Sequence, residues 1–172
     1  MPRLSNCRAI YDLEVTLRGS APRIWRRVLV RGATTLDRLH EIVQVTMLWE
    51  GYHFYEFQVG GGEEGYGASR YGLYEPTFAD EEPPIDAART TLADIAPAVG
   101  ATFVYAYDFG DNWRHDIAVT GIDKTDKRLT YPLCVAGERA GPPEDCGGVW
   151  GYCDLLATLE KGRGEAYNDL LQ

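Results

Sequence analysis

The chain has 172 residues, of which 45% are hydrophobic and 25% charged, with a net charge of −9 at pH 7. This length suits one domain with a real core, and the composition excludes a chain that is disordered throughout. The negative charge disfavours binding to a phosphate backbone, and no apolar run approaches the roughly 18 residues that a membrane span needs.

The first part of the chain predicts a hairpin, a helix and a third strand. Residues 9–17 alternate between apolar and polar side chains, as do residues 23–31 after the turn R-G-S-A-P. Residues 34–49 have apolar side chains at helical spacing, and residues 52–59 are typical of a strand.

The second part adds strands and closing helices. Residues 60–90 are rich in Gly, Glu and Pro, which predicts a long loop with a short strand near Arg70–Leu73. Further elements follow in order: a helical turn at 91–95, strands at 101–108, 113–122 and 131–137, and helices at 149–162 and 165–172. The pattern predicts a single α+β domain with a mainly antiparallel sheet and helices packed on one side.

The stretch Y-D-F-G-D-N-W-R-H-D-I, residues 107–117, combines turn residues with charged and aromatic ones. We predict a hairpin with a four-residue loop over 109–112, in which Gly110 takes a positive φ. This register places Asp108 opposite Trp113 and makes Asp108 a diagonal neighbour of His115 on the inward face.

All three histidines fall on sides that are predicted to point inward, and this has two interpretations. In the structural one, His40, His53 and His115 are buried and bonded to nearby acceptors. In the functional one, imidazoles and carboxylates converge to bind a divalent metal or to perform acid–base chemistry. The candidate catalytic cluster is His53, Asp108, Asp111, His115, Glu144 and Asp145, and the candidate metal ligands are His53, Asp108 and His115.

The acidic segment G-P-P-E-D-C-G-G also has a structural interpretation. Glu144 and Asp145 precede a predicted helix, whose dipole favours negative charge at that end whatever the function. Two further motifs lack the neighbouring residues that a kinase site or a dinucleotide-binding turn would require. Asp108-Phe109-Gly110 has no kinase catalytic loop beside it, and the G-x-G-x-x-G at residues 60–65 carries two glutamates that would repel a pyrophosphate. No cofactor is predicted.

Charge is unevenly distributed along the chain. Residues 1–40 contain eight arginines against three acidic residues, a net of +5, which leaves −14 for the remainder. Packing of this basic segment beside the acidic remainder, and pairing with it, is the favoured interpretation, and a nucleic-acid-binding face is the alternative. That candidate face is Arg23, Arg26, Arg27 and Arg31.

The four cysteines and the N-terminus indicate a cytoplasmic protein. No secretory signal is recognisable at the N-terminus. The cysteines include no C-x₂₋₄-C pair, so we expect free thiols in a reducing compartment instead of a structural zinc site.

Several blocks together resemble the plasmid pRiA4b ORF-3-like proteins, which are also described as transposable-element passenger proteins. The blocks are I-W-R-R-V-L-V, T-L-D-R-L-H-E-I-V-Q, W-E-G-Y-H-F-Y-E-F, Y-D-F-G-D-N-W-R-H and Y-P-L-C-V-A-G-E-R-A-G-P-P-E-D-C-G-G-V-W-G-Y, and they extend over about residues 9–160. The recurrent family residues fall on Trp25, Arg26, His40, Trp49, His53, Asp108, Gly110, Asp111, Trp113, His115, Pro143, Glu144, Asp145 and Gly148.

The resemblance implies one α+β domain over residues 1–172, of bacterial or archaeal origin and without an established activity. It also implies a C-terminal tail with W-x-G and acidic F-D-P-E-like segments, which is not found before Gln172. We expect a small accessory or interaction domain without its own catalysis, with a protein partner and an association with a mobile element. The alternatives are a metal-dependent hydrolase or other enzyme using the Asp/His cluster, and nucleic-acid binding through the arginine face.

Overall fold

One eight-stranded sheet organises the chain. The computed structural model describes residues 6–61, 67–73, 83–164 and 168. The strands are β1 Ile10–Leu17, β2 Trp25–Arg31, β3 Tyr55–Val59, β4 Ser69–Gly72, β5 Ile85–Asp86, β6 Thr102–Tyr107, β7 Trp113–Asp123 and β8 Leu133–Glu138. Their order across the sheet is β5-β4-β3-β6-β7-β1-β2-β8, and every neighbouring pair is antiparallel except β4 with β5. The predicted α+β class with a mainly antiparallel sheet is confirmed.

Alternation along the strands separates a buried face from a charged one. In β1, Tyr11, Leu13 and Val15 are fully buried, and in β2 Val28 and Val30 lie on the same side. Burying large apolar side chains contributes about 1.5–3 kcal/mol each, so a shift of one residue in pairing would be costly. This face forms the core of the protein.

Three helices complete the fold: α1 Leu36–Met47, α2 Leu92–Ile95 and α3 Gly148–Lys161. The predicted apolar stripe of α1 is confirmed, because Leu36, Leu39, Val43 and Met47 are all buried. In α3 only the N-terminal part contacts the core, through Val149 and Tyr152, which pack against the buried cluster. No helix among the described residues is long and apolar enough to cross a membrane.

Two predicted features fall wholly or partly outside the described residues. The G-x-G-x-x-G segment includes positions 62–66, and the last predicted helix covers 165–172, of which only residue 168 is described. The short parallel strand β5 was not predicted, since two residues carry no recognisable alternation.

The four arginines of the candidate nucleic-acid-binding face have intramolecular contacts. Arg27 donates hydrogen bonds of 2.8 and 3.0 Å from Nε to the Asp12 carboxylate, and Arg23 donates a hydrogen bond of 2.6 Å to the Thr16 hydroxyl. The Arg26 guanidinium donates to the backbone carbonyl of Thr46 at 2.8 Å. Arg31 lies 5.5 Å from the ring centre of Tyr131, a cation–π contact. The carboxylates that Arg23 and Arg27 contact, on Glu14 and Asp12, lie within residues 1–40 themselves, so these contacts occupy the candidate face without pairing it to the acidic remainder.

Candidate functional site

Three connecting loops meet at one end of the sheet. They follow α1, β6 and β8 respectively, at residues 48–54, 108–112 and 139–147. The Trp49 indole donates a hydrogen bond of 2.7 Å to the Pro142 carbonyl, which joins the first loop to the third. The Gly147 amide donates a hydrogen bond of 3.1 Å to the Asp111 carboxylate, which joins the third loop to the second. Residues from three distant parts of the sequence are thereby held together.

One imidazole and two carboxylates converge at this junction. His53 Nε2 lies 3.0 Å from Asp145 Oδ1 and 3.5 Å from Asp108 Oδ2. The second oxygen of Asp145 accepts a hydrogen bond of 2.6 Å from the Tyr52 hydroxyl. The three residues His53, Asp108 and Asp145 are called the triad below. One member comes from each loop.

The Asp108 backbone and side chain build the turn that carries it. Asp108 adopts φ of 53°, in the left-handed region that Asp and Asn tolerate better than most residues. Its Oδ1 accepts hydrogen bonds from the amides of Gly110, at 2.9 Å, and Asp111, at 3.3 Å. Its own amide donates a hydrogen bond of 2.9 Å to the Phe54 carbonyl, which connects the turn to the first loop.

The predicted hairpin exists, but its register is wrong by one residue. Tyr107 pairs with Trp113 and Tyr105 with His115, so the loop has five residues, 108–112. The inward face of β6 therefore carries tyrosines, and Asp108 lies in the loop instead of opposite Trp113. The predicted positive φ at Gly110 is also wrong, because Asp108 and Asn112 take the left-handed conformation in this turn.

Glu144 lies beside the triad and is held by the first loop and by β6. Its carboxylate accepts a hydrogen bond from the Tyr107 hydroxyl and one of 2.7 Å from the Glu50 amide. Burial and the bond to Glu144 both raise the pKa of Tyr107. The bond to Asp145 raises the pKa of Tyr52 to about 12, and the same bond lowers the pKa of the Asp145 carboxyl. Both tyrosines are therefore neutral donors at physiological pH.

His115 lies in the aromatic core, not with the triad. Its ring is fully buried, with ring centres 5.4 Å from Trp49 and 5.7 Å from Tyr105. Neither ring nitrogen has a hydrogen-bond partner within the described part of the chain. Burial lowers the pKa of His115 to about 3, so the imidazole is neutral. His115 keeps the predicted inward position in β7, but the one-residue shift places Tyr105 opposite it and moves Asp108 into the loop, so the predicted Asp108–His115 pair does not form.

His40 fits the structural interpretation, because its ring is largely buried and within hydrogen-bond distance of a neighbouring side chain. Its ring stacks on Tyr55 with centres 3.8 Å apart, and its Nδ1 lies 2.7 Å from the Tyr105 hydroxyl. Burial lowers the pKa of His40 to about 4. Of the three histidines, His53 is therefore the one whose ring contacts carboxylates.

The three loops also carry exposed aromatic rings, which the sequence pattern did not predict. Every Phe, Tyr or Trp classed as exposed among the described residues lies in these loops or in the first turn of α3 that follows them. Trp150 is 85% exposed, and the others are 47–59% exposed. We call this set, which is Tyr52, Phe54, Phe109 and Trp150, the aromatic rim. Of these residues only Phe109 lay in a predicted loop, because Tyr52 and Phe54 were assigned to the strand at 52–59 and Trp150 to the helix at 149–162.

A family model for plasmid pRiA4b ORF-3-like proteins matches residues 9–172. The chain belongs to this family. Within the plasmid pRiA4b ORF-3-like family, the chain is 35% identical over 167 residues to the uncharacterized protein y4hQ of Sinorhizobium fredii (strain NBRC 101917 / NGR234), an alignment covering 95% of this chain and 80% of that protein. The resemblance predicted from the sequence blocks is thus confirmed.

A solved structure shows the same fold. The chain superposes with a TM-score of 0.81 on the crystal structure of a protein of unknown function, MM3350 from Methanosarcina mazei Go1. The two are 34% identical, and the match covers 94% of this chain and 86% of the other. The fold of this chain is therefore shared with MM3350 over nearly the whole of its length. The names of these two relatives assign no activity.

Proposed function

We propose that this protein is an accessory domain that binds a cationic segment of a protein partner and has no catalysis of its own. The observation that carries the proposal is the coincidence of the aromatic rim with an acidic end of the sheet. The three loops contain five carboxylates, on Glu50, Asp108, Asp111, Glu144 and Asp145. Their one cationic side chain, Arg139, lies 3.5 Å from a carboxylate oxygen of Glu138 in β8.

The physical chemistry of the rim suits a lysine or arginine side chain. Exposed Trp and Tyr are enriched at binding hot spots because they supply a large, rigid contact area. A cation above an aromatic face gains about 0.5–2 kcal/mol, and surrounding carboxylates steer a basic partner toward the surface. Carboxylates that are already held in place, such as Glu144 by two donors, lose little freedom when the partner binds.

The test is titration of the full chain with short peptides that contain lysine and arginine, with matched glutamate peptides as the charge control. We expect binding of the basic peptides only. Trp150→Ala and Phe109→Ala should each weaken it, because truncation of an interface aromatic commonly costs more than about 1 kcal/mol. Val99→Ala is the matched control, since Val99 is 58% exposed and lies outside the three loops. Absence of binding, or equal binding by all three variants, would overturn the proposal.

Association with a mobile genetic element is part of the same proposal. It is supported by the description of the family, which names a plasmid protein. If the association is functional, deletion of the gene should change the maintenance or transfer frequency of an element that encodes it. An unchanged frequency in an otherwise identical host would contradict it.

A further inference from the structure

We propose that the triad is a site for a divalent transition-metal ion. The three ligand atoms would be His53 Nε2, Asp108 Oδ2 and Asp145 Oδ1, which all lie within 4.8 Å of one another. The metal proposal shares Asp108 and Asp145 with the acidic surface proposed for the partner, but it does not involve the aromatic rim, so Co²⁺ binding and peptide binding are measured separately.

The separations between these atoms agree with a shared metal ion. Zinc binds imidazole nitrogen and carboxylate oxygen at about 2.0–2.2 Å, so two ligands on one tetrahedral ion lie roughly 3.4 Å apart. His53 Nε2 lies 3.0 and 3.5 Å from the two carboxylate oxygens. One nitrogen and two oxygens are also a ligand set that suits Zn²⁺, Mn²⁺ and Co²⁺.

The hydrogen bonding of Asp108 points to a ligand on its second oxygen. Its side chain is 9% exposed, and its Oδ1 is occupied by two backbone amides. No hydrogen bond among the described residues reaches Oδ2, which faces His53 at 3.5 Å. A carboxylate oxygen that no protein donor occupies is open to a cation or to water. His53 Nε2 carries at most one proton and already lies closer to Asp145.

A cation would satisfy all three groups at once. His53 Nε2 and one oxygen from each carboxylate converge on the same space, and the other oxygen of each carboxylate is already held. Tyr52 fixes the outer oxygen of Asp145, and the turn amides fix the inner oxygen of Asp108. Such outer contacts orient metal ligands and raise affinity. Because each ligand comes from a different loop, a bound ion would also join the three loops.

The test uses the full chain, freed of metal with a chelator and titrated with Co²⁺. Bound through nitrogen and oxygen, Co²⁺ gives weak visible bands, whereas the intense thiolate charge-transfer absorption would reveal binding by cysteines instead. The chain has three histidines, so nitrogen-detected NMR of the imidazoles resolves them. We expect Co²⁺ to perturb His53 strongly and the core histidines, His40 and His115, much less. Thiolate absorption, or an unperturbed His53 signal, would overturn the proposal.

Variants provide an independent measurement. His53→Gln and Asp145→Asn should each weaken Co²⁺ binding by at least about 10-fold, the lower end of the loss seen for outer-contact residues of metal sites. Asp111→Asn is the matched control: it removes a carboxylate from the same end but keeps an oxygen that can accept from Gly147. Urea unfolding of each metal-free variant checks the fold. Equal affinity of folded variants and wild type would refute the assignment. Peptide titration with and without Co²⁺ tells the two proposals apart. If basic peptides bind but Co²⁺ does not, only the metal proposal fails, and if Co²⁺ binds but the peptides do not, only the partner proposal fails.

Discussion

The buried His115 imidazole makes the stability of this protein depend on pH. In the folded chain burial lowers the pKa of His115 to about 3, compared with 6.5 for an unperturbed histidine. Between these values the unfolded chain binds a proton that the folded chain does not. Stability contributed by the neutral imidazole is therefore fully present above pH 6.5 and is lost as the pH falls toward 3.

The size of the effect follows from the same values. A tenfold change in proton affinity corresponds to about 1.4 kcal/mol. Protonation of His115 in the unfolded chain alone therefore lowers the free energy of unfolding by about 5 kcal/mol relative to neutral pH. At pH 5 the loss is about 2 kcal/mol. Two charged neighbours contribute in opposite directions: Asp116 raises the pKa of His115 and Arg26 lowers it, and both effects are smaller than that of burial.

The assay is urea unfolding of wild type and His115→Leu at pH 7 and pH 5. Leucine has a similar volume and cannot be protonated, so the variant should lose about 2 kcal/mol less than the wild type between the two pH values. His40 remains in both proteins, and its lowered pKa of about 4 produces the same residual loss in each. Equal losses in wild type and variant would show that His115 is protonated in the folded state, and the reasoning would fail.

Four other predictions concern turns, thiols and nucleic acid. Gly148→Ala should cost about 3 kcal/mol or more in urea unfolding, because its Cβ would lie 2.4 Å from a backbone oxygen, whereas Gly60→Ala has open space and should cost about 1 kcal/mol. Asp108→Ala should cost about 1–3 kcal/mol by removing the acceptor of two amides, whereas Asp108→Asn keeps an acceptor and should cost less. Exposed Cys153 should react with a thiol reagent in the native protein, and Cys146, whose pKa burial raises, should react slowly until the chain unfolds. Short RNA or DNA should show no change in fluorescence anisotropy at physiological ionic strength, and a salt-sensitive complex would contradict this expectation.

Strand alternation made most of the sheet predictable. The alternation predicted over residues 23–31 is present in the structure, where Ile24, Val28 and Val30 are buried. The error in the β6–β7 register shows the limit of turn residues as a guide. Loops of four and five residues both accommodate the same Gly, Asp and Asn, and the two choices present opposite faces of β6 to the core. The larger apolar area of the side with Phe103 and Tyr105 decides between them.

The candidate site was only partly predictable, because its geometry depends on tertiary contacts. The sequence indicated which polar residues could act, and three of the six candidates form the triad. It could not indicate that the loop after α1 contacts the loop before α3, since this contact rests on the Trp49 indole and the Pro142 carbonyl, 93 positions apart. Nor could it separate His53 from His115, because both follow apolar alternation. In the structure β3 begins at Tyr55, which leaves His53 in the loop, whereas His115 lies within β7.

A turn and a site are not competing explanations of the segment at residues 107–117. Asp108 uses one carboxylate oxygen to form the turn and presents the other to His53. The turn bonds fix the side chain, so the second oxygen keeps its position without a hydrogen bond of its own. A serine or threonine could accept from the amides but would offer no second oxygen, and a glutamate would place both oxygens one carbon further away. Only aspartate supplies a short acceptor for the turn and a charged oxygen for the junction of the three loops.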